Sequence, residues 1–160
     1  NTENIGELGL SWYQDIRANQ GQQSTPLYVD GVLYLTESWG QVDAIDASNG
    51  ETLWRFDPEV PGNVAGKGCC GVNNRGAAVY QGKVFVTAYD RRMFALDAGN
   101  GAVLWETQTV DDQLNYTSTG AVRVANGKVF QCSSTHSVNA LGHIKVARRA
   151  VVVVNHGLYL

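Results

Sequence analysis

The sequence has no long apolar run, no excess of positive charge and no dense cluster of histidine or cysteine. Its 160 residues carry 12 Lys and Arg against 15 Asp and Glu, for a formal net charge of −3. A protein that binds nucleic acid usually shows a basic patch or stripe, so we expect no nucleic-acid partner. No stretch reaches the roughly 18 apolar residues that a membrane helix requires, so we also expect no membrane span.

Proline and methionine are scarce, whereas glycine is abundant. There are three prolines and one methionine against 18 glycines, together with seven Tyr, four Trp and four Phe. Aromatic residues spread through short segments between glycine turns favour β structure. The sequence starts without methionine or a signal-peptide pattern, so we expect a trimmed chain or a piece of a longer one.

An internal repeat organises the chain. The segment from Val42 to Trp54 recurs 51 residues later, from Met93 to Trp105, with Ala-x-Asp-Ala, a glycine turn and a tryptophan in register. Each copy follows two short apolar runs joined by a two-residue turn, Asp-Gly in the first copy and Gln-Gly in the second. A third run of this kind contains Asn126-Gly127. Such dipeptides between apolar runs indicate β-hairpins.

Four short antiparallel strands in each unit of about 45 to 51 residues are typical of a propeller blade. The sequence therefore predicts an all-β fold, a partial β-propeller of four-stranded antiparallel blades with tryptophan docking motifs over residues 1–160. Two complete blades are expected over residues 13–110 and a divergent third over 111–160, preceded by an incomplete first strand from Asn1 to Trp12. Closed propellers have about four to eight blades, so the remaining blades are expected from elsewhere.

Two residue types in the repeat are expected to stabilise the blades. Trp54 and Trp105 are predicted to pack between blades, as large aromatic side chains do in cores. Asp46 and Asp97 precede the glycine turns and are predicted to accept hydrogen bonds from nearby backbone amides.

Cys69 and Cys70 are adjacent, and a third cysteine, Cys132, has no obvious partner. A trans peptide holds neighbouring Cα atoms about 3.8 Å apart, below the usual disulfide span of roughly 4.4–6.8 Å. A bond between them would close a strained ring that constrains no loop. The pair is therefore either a rigid sulfur surface for a ligand or two small buried apolar side chains.

The blade repeats, together with Cys69-Cys70 and the following Asn74-Arg75-Gly76, resemble the quinoprotein alcohol dehydrogenases. The resemblance extends to about Phe130 and includes the string Thr25-Pro-Leu-Tyr-Val-Asp-Gly. It implies an eight-bladed propeller, the cofactor pyrroloquinoline quinone (PQQ), a Ca²⁺ or lanthanide ion, and a periplasmic location. The implied reaction oxidises a primary or secondary alcohol to an aldehyde or ketone by hydride transfer to PQQ, with a cytochrome c as electron acceptor.

The resemblance also implies roles for six residues of this chain. Cys69 and Cys70 would form a vicinal disulfide against the PQQ ring, and Arg75 would reach the quinone. Thr119 would hydrogen-bond a PQQ carboxylate, and Ser134 falls where a serine or asparagine contacts the cofactor. Gln23 stands where the family commonly has a PQQ-contacting glutamate, so it retains hydrogen bonding without the charge.

The metal site of the family is not reproduced after Phe130. The family places a metal-ligating glutamate at the position that Ser137 occupies here, and a serine hydroxyl is a poor ligand for a hard dication. The family's catalytic aspartate comes from later blades, so no catalytic and no metal-binding residue is assigned in this chain.

Two hypotheses follow. The chain is the N-terminal part of a PQQ-dependent alcohol dehydrogenase, contributing one wall of the cofactor site and inactive alone. Alternatively, it is a non-catalytic β-propeller module for binding or assembly, or a degenerate remnant of such an enzyme. The identity of the alcohol is not indicated by the sequence.

Overall fold

The computed structural model describes residues 2–17, 20–68, 71–110, 115–135, 144–147 and 151–155. Within these ranges the regular structure is almost entirely β, as the sequence predicts. The helical elements are single-turn or short 3-10 helices at Ile5–Glu7, Ser38–Gly40 and Gly62–Lys67. Among the described residues, no helix has the length and apolar character needed to cross a membrane.

The two repeat copies form two matching four-stranded sheets. In each sheet the strands follow chain order and every neighbouring pair is antiparallel. The first sheet contains β1 (Leu27–Val29), β2 (Val32–Thr36), β3 (Val42–Asp46) and β4 (Thr52–Phe56). The second contains β5 (Ala78–Tyr80), β6 (Lys83–Thr87), β7 (Arg92–Asp97) and β8 (Val103–Gln108).

The hairpin and turn predictions are confirmed. Asp30 and Gly31 have φ angles of 49° and 85°, and Gln81 and Gly82 have 49° and 70°. Two successive positive φ angles are the signature of the type I′ turn that suits a two-residue hairpin. In the later turns, Asp46 Oδ1 accepts a hydrogen bond from the amide of Ser48, and Asp97 Oδ1 accepts one from the amide of Gly99 (both 2.8 Å).

The sheet that follows differs from the first two. Its members are β9 (Tyr116–Thr117), β10 (Arg123–Ala125), β11 (Lys128–Thr135), β12 (Ile144–Ala147) and β13 (Val151–Asn155). The order is β10-β11-β13-β12, with β9 pairing against the end of β11, and β11 runs parallel to β13. The parallel pair arises because β13 lies between β11 and β12. The blade boundaries at 110 and 111 stay a prediction, but this sheet is not an up-and-down blade.

The first segment also differs from its prediction. Ile5–Glu7 is a 3-10 turn, and residues 2–17 contain no strand. A strand needs a neighbour to pair with, and none of the described strands pairs with this segment. The segment nevertheless docks on the first sheet, because Trp12 Nε1 donates a hydrogen bond to Ala47 O (2.9 Å).

Tryptophan docking joins each sheet to its neighbour, as the repeat predicts. Trp54 Nε1 donates to Ala98 O (2.9 Å), and its ring lies so close to Gly101 that a Cβ there would be 2.6 Å from the ring. Trp12 lies on Gly50 in the same way. Trp105 packs against a buried cluster that includes Phe85 of the second sheet and residues of the next.

The core lies between the sheets, and β6 contributes to both of its halves. Val84 and Val86 pack with residues of the first sheet, whereas Phe85 packs with Val129 of the following sheet and with Val122, which immediately precedes β10. Successive side chains of a strand point to opposite faces, so an uninterrupted apolar run marks a strand buried on both sides. The second sheet is therefore sandwiched, as an interior blade would be.

Candidate functional site

Three segments that lead into β1, β5 and β10 lie side by side. The amide of Thr25 donates to Arg75 O (3.2 Å), and the amide of Arg75 donates to Thr119 O (3.1 Å). These backbone bonds join the segments that lead into three different sheets. They bring Arg75 and Thr119, both predicted site residues, into direct contact, and they place Thr25, two residues after Gln23, beside them.

The side chain of Arg75 strengthens this contact. Its Nη1 donates to Thr119 Oγ1 (2.6 Å) and to Thr119 O (3.2 Å). The guanidinium is exposed, and Nε and Nη2 have no hydrogen-bond partner among the described residues. Arg75 is thus fixed at one nitrogen and offers a cationic edge with further N–H donors to a ligand.

Asn74 fixes the turn that presents Arg75. Its side chain is buried, Nδ2 donates to Thr87 O (2.8 Å), and Oδ1 accepts a hydrogen bond from the Gly76 amide (2.9 Å). Gly76 has a φ of 140°, a conformation that favours glycine. The Asn-Arg-Gly string marks a motif, but the role of Asn74 in holding the turn that carries Arg75 is visible only in the fold.

The other predicted site residues are placed less fully. Gln23 is exposed and lies two residues before Thr25, in the segment that leads into β1. Ser134 lies in β11 opposite Thr117, and its side chain is outside the description. Cys69, Cys70 and Ser137 lie outside the described residues. The vicinal disulfide therefore stays a prediction.

A buried polar cluster that the sequence does not indicate includes Ser118, the residue before Thr119. Ser118 Oγ and Ser133 Oγ are 2.9 Å apart, and Gln131 Nε2 contacts Ser118 Oγ at 2.5 Å and Ser133 Oγ at 3.1 Å. All three side chains are buried. Gln131 Oε1 has no hydrogen-bond partner among the described residues. The bonds made by Gln131 Nε2 and between the two serine hydroxyls join the segment that carries Thr119 to β11.

The donor set at this site fits PQQ. That molecule has two adjacent quinone oxygens and three carboxylates on a flat ring system, and an arginine fork binds such oxygens better than a lysine would. Arg75 supplies the fork and Thr119 a hydroxyl. The described residues contain no group of three His, Cys, Asp or Glu side chains able to hold a metal ion. We assign no metal ligand to them.

A separate cavity of about 310 Å³ lies beside the connection between β2 and β3 and the end of β4, lined by residues that include Trp39, Asp43 and Arg55. Burial, followed by the neighbouring Glu37, raises the pKa of Asp43 to about 6, and Arg17 opposes the shift. Asp43 also pairs with Arg55 at 3.0 Å. None of the predicted site residues lines this cavity.

The repeated sheets, the tryptophan docking between them and the cationic edge at Arg75 define the class as a β-propeller of the quinoprotein type. The chain belongs to the family described as PQQ: Glucose/ethanol/alcohol dehydrogenase, beta-propeller domain, whose model matches residues 1–141.

Curated relatives agree with this assignment. The chain is 43% identical over 150 residues to the dehydrogenase subunit of the quinone alcohol dehydrogenase of Gluconacetobacter polyoxogenes, covering 90% of this chain and 20% of the relative. It is 48% identical over 128 residues to the 1-butanol dehydrogenase (cytochrome c) of Thauera butanivorans, covering 79% and 18%. The chain thus spans about a fifth of the length of the curated relatives it matches.

Solved structures agree in fold. The quinohemoprotein alcohol dehydrogenase from Comamonas testosteroni matches with a TM-score of 0.76 and 42% identity, over 81% of this chain and 19% of that one. A europium-containing methanol dehydrogenase matches with a TM-score of 0.77 and 33% identity, over 84% and 24%.

Proposed function

We propose that this chain forms one wall of the PQQ site of an alcohol dehydrogenase that oxidises a primary or secondary alcohol to an aldehyde or ketone. The observation that carries the proposal is the contact between Arg75 and Thr119, which joins two predicted cofactor residues that are 44 positions apart in the sequence. Family membership and the names of the relatives support the same activity.

When bound, PQQ supplies the quinone that accepts a hydride from the alcohol. The residues of this chain bind and orient it. Arg75 directs its cationic edge at the cofactor oxygens, Thr119 and Gln23 add hydrogen bonds, and Ser134 lies on the neighbouring strand. Cys69 and Cys70 form a flat disulfide surface under the ring in this proposal. The proton-accepting carboxylate comes from blades beyond those described, so the chain alone is inactive.

Partners and location are part of the proposal. A small alcohol is the substrate, and a relative named a 1-butanol dehydrogenase (cytochrome c) supports a cytochrome c as electron acceptor. The proposed location is the periplasm. A Ca²⁺ or lanthanide ion would belong to the complete propeller, and similarity to a europium-containing enzyme supports it. This chain has Ser137 at the position of the family's metal-ligating glutamate, so in this proposal it does not supply that ligand.

A second candidate is a propeller module that binds or assembles without catalysis. The parallel pairing of β11 with β13 favours it, because this pairing replaces blade geometry in the region where the family's metal ligand is expected. Under this hypothesis the cationic edge at Arg75 binds a ligand but the protein does not turn over an alcohol.

Reconstitution distinguishes the two candidates. The full-length protein is mixed with PQQ and Ca²⁺, bound PQQ is measured by quenching of tryptophan fluorescence, and alcohol-dependent dye reduction is then followed. The proposal expects PQQ binding and turnover, and loss of binding in Cys69→Ser. Binding without turnover would favour the non-catalytic module. Normal binding in Cys69→Ser would contradict the disulfide surface.

A further inference from the structure

Tyr89 is a large, fully buried side chain near the site, with 1% of its surface exposed, and no role in the site follows from the sequence. It lies two residues after the end of β6, in the turn that leads to β7. Its ring meets that of Trp39 edge to face, with centroids 5.8 Å apart. A tyrosine buried this fully requires partners for its hydroxyl.

The partners of that hydroxyl belong to the loop that carries the site. Tyr89 Oη donates to Ala65 O (3.2 Å), in the short helix Gly62–Lys67. It also interacts with the Thr117 side chain and with the backbone of Gly68, the residue immediately before the cysteine pair. A Cβ on Gly68 would overlap the Tyr89 hydroxyl. One hydroxyl thus contacts the loop at two points, on the N-terminal side of Cys69 and Cys70.

The backbone of Tyr89 links the same loop to the neighbouring sheets. Its amide donates to Trp39 O (3.1 Å), while the Trp39 amide donates to Val72 O (2.7 Å). Its carbonyl accepts a hydrogen bond from the Ser118 amide (3.2 Å), next to Thr119. Tyr89 therefore lies at the junction between the loop, the first sheet and the segment that supplies Thr119.

The first sheet repeats this arrangement with a smaller side chain. Ser38 is the residue that corresponds to Tyr89 at the 51-residue offset, and it is also buried. Its Oγ donates to Gly21 O (3.1 Å), two residues before Gln23. In both sheets, a hydroxyl at the corner after the second strand is thus bonded to the segment that leads to a predicted cofactor residue. Recurrence at two independent positions argues against a chance contact.

We propose that Tyr89 is a positioning residue for PQQ binding, whose hydroxyl fixes residues 62–68, the part of the loop that leads along the chain to the cysteine pair and to Arg75. The inference rests on the proposed function. It assigns Tyr89 no contact with the cofactor, and it concerns only the hydroxyl, since the ring packs equally well in phenylalanine.

The test compares two tyrosine-to-phenylalanine variants of the full-length protein. Tyr89→Phe should raise the Kd for PQQ about tenfold, since a buried hydrogen-bonding group loses its partner. It should also speed hydrogen exchange in the peptide covering 62–76 without PQQ present. The matched control is Tyr34→Phe, because Tyr34 is also buried and donates its hydroxyl to a backbone carbonyl, Ala98 O (3.3 Å), away from the site. Its Kd should stay within about twofold of wild type.

Several outcomes overturn the inference. They are an unchanged Kd in Tyr89→Phe with unchanged exchange in 62–76, or an equal rise in Tyr34→Phe. If Tyr89→Phe does not fold, Thr117→Val is used instead, because it removes the side-chain hydroxyl that interacts with Tyr89 Oη. An unchanged Kd for PQQ in Thr117→Val also overturns the inference. Failure of the wild type to bind PQQ contradicts the proposed function instead, and the exchange of 62–76 then decides whether Tyr89 fixes the loop.

Discussion

At the residue scale, Arg75 differs from the arginines that have structural partners. Arg55 pairs with Asp43 at 3.0 Å, and Arg92 pairs with Asp90 at 2.8 Å. Arg75 instead bonds to an uncharged threonine and to a backbone carbonyl, and it has no carboxylate partner among the described residues. Because no carboxylate among the described residues neutralises it, this guanidinium is able to pair with an anionic or quinone ligand.

Asp43 gives a prediction about pH. Its pKa in the folded protein is about 6, above the usual value of 3.8, because of burial and then Glu37, with Arg17 opposing. The folded state therefore holds this proton more tightly than the unfolded state does, and stability falls as pH rises from about 4 to about 6. We expect Asp43→Asn to remove that part of the fall, although it also loses the ion pair with Arg55.

Thermal unfolding at several pH values between 4 and 7 checks this. Asp57→Asn is the matched control, since Asp57 lines the same cavity but is exposed, and it should keep the wild-type slope. If the stability of Asp43→Asn falls with pH as steeply as that of wild type, a group other than Asp43 causes the fall.

At the element scale, the tryptophan docking sites join the sheets, and two glycines with nearly the same backbone test their contribution. Gly101 has φ 73° and lies under Trp54, whereas Gly82 has φ 70° and has nothing within 4 Å of its Cβ position. Alanine at either position costs about 1–2 kcal/mol for the left-handed backbone. Only Gly101→Ala also forces a Cβ into the indole ring, at 2.6 Å.

We expect Gly101→Ala to lower the free energy of unfolding by about 1–3 kcal/mol more than Gly82→Ala does, the usual cost of overpacking. Chemical denaturation of the two variants measures the difference. Equal losses would mean that the docking contact adds nothing beyond backbone strain.

Elements made by local signals were predictable, and elements made by distant pairing were not. The hairpins at Asp30-Gly31 and Gln81-Gly82 follow from turn chemistry that operates within a few residues. The absence of a strand in residues 2–17, and the insertion of β13 between β11 and β12, depend on which strand is available as a partner. Apolar patterns such as the valine run from Val151 identify a strand but not its neighbours.

At the scale of the whole molecule, the resemblance proposes which residues form the site, but it does not show how they come together. The Cys-Cys and Asn-Arg-Gly strings pointed to the family and to Arg75. The sequence could not show that Arg75 and Thr119 touch, since the contact depends on backbone bonds between segments of different sheets. Nor could it show Tyr89, whose contacts with Ala65 and Gly68 exist only after the sheets pack.

The most direct test of the account is equilibrium binding of PQQ to the full-length protein with and without the guanidinium of Arg75. Arg123 is the control, because it too is exposed and donates from Nη1 to a backbone carbonyl, that of Val122 (2.9 Å). The account predicts that Arg75→Gln raises the Kd about thirtyfold, the loss expected for a charge-assisted hydrogen bond, while Arg123→Gln changes it less than about twofold. Equal affinity in the two variants would contradict it.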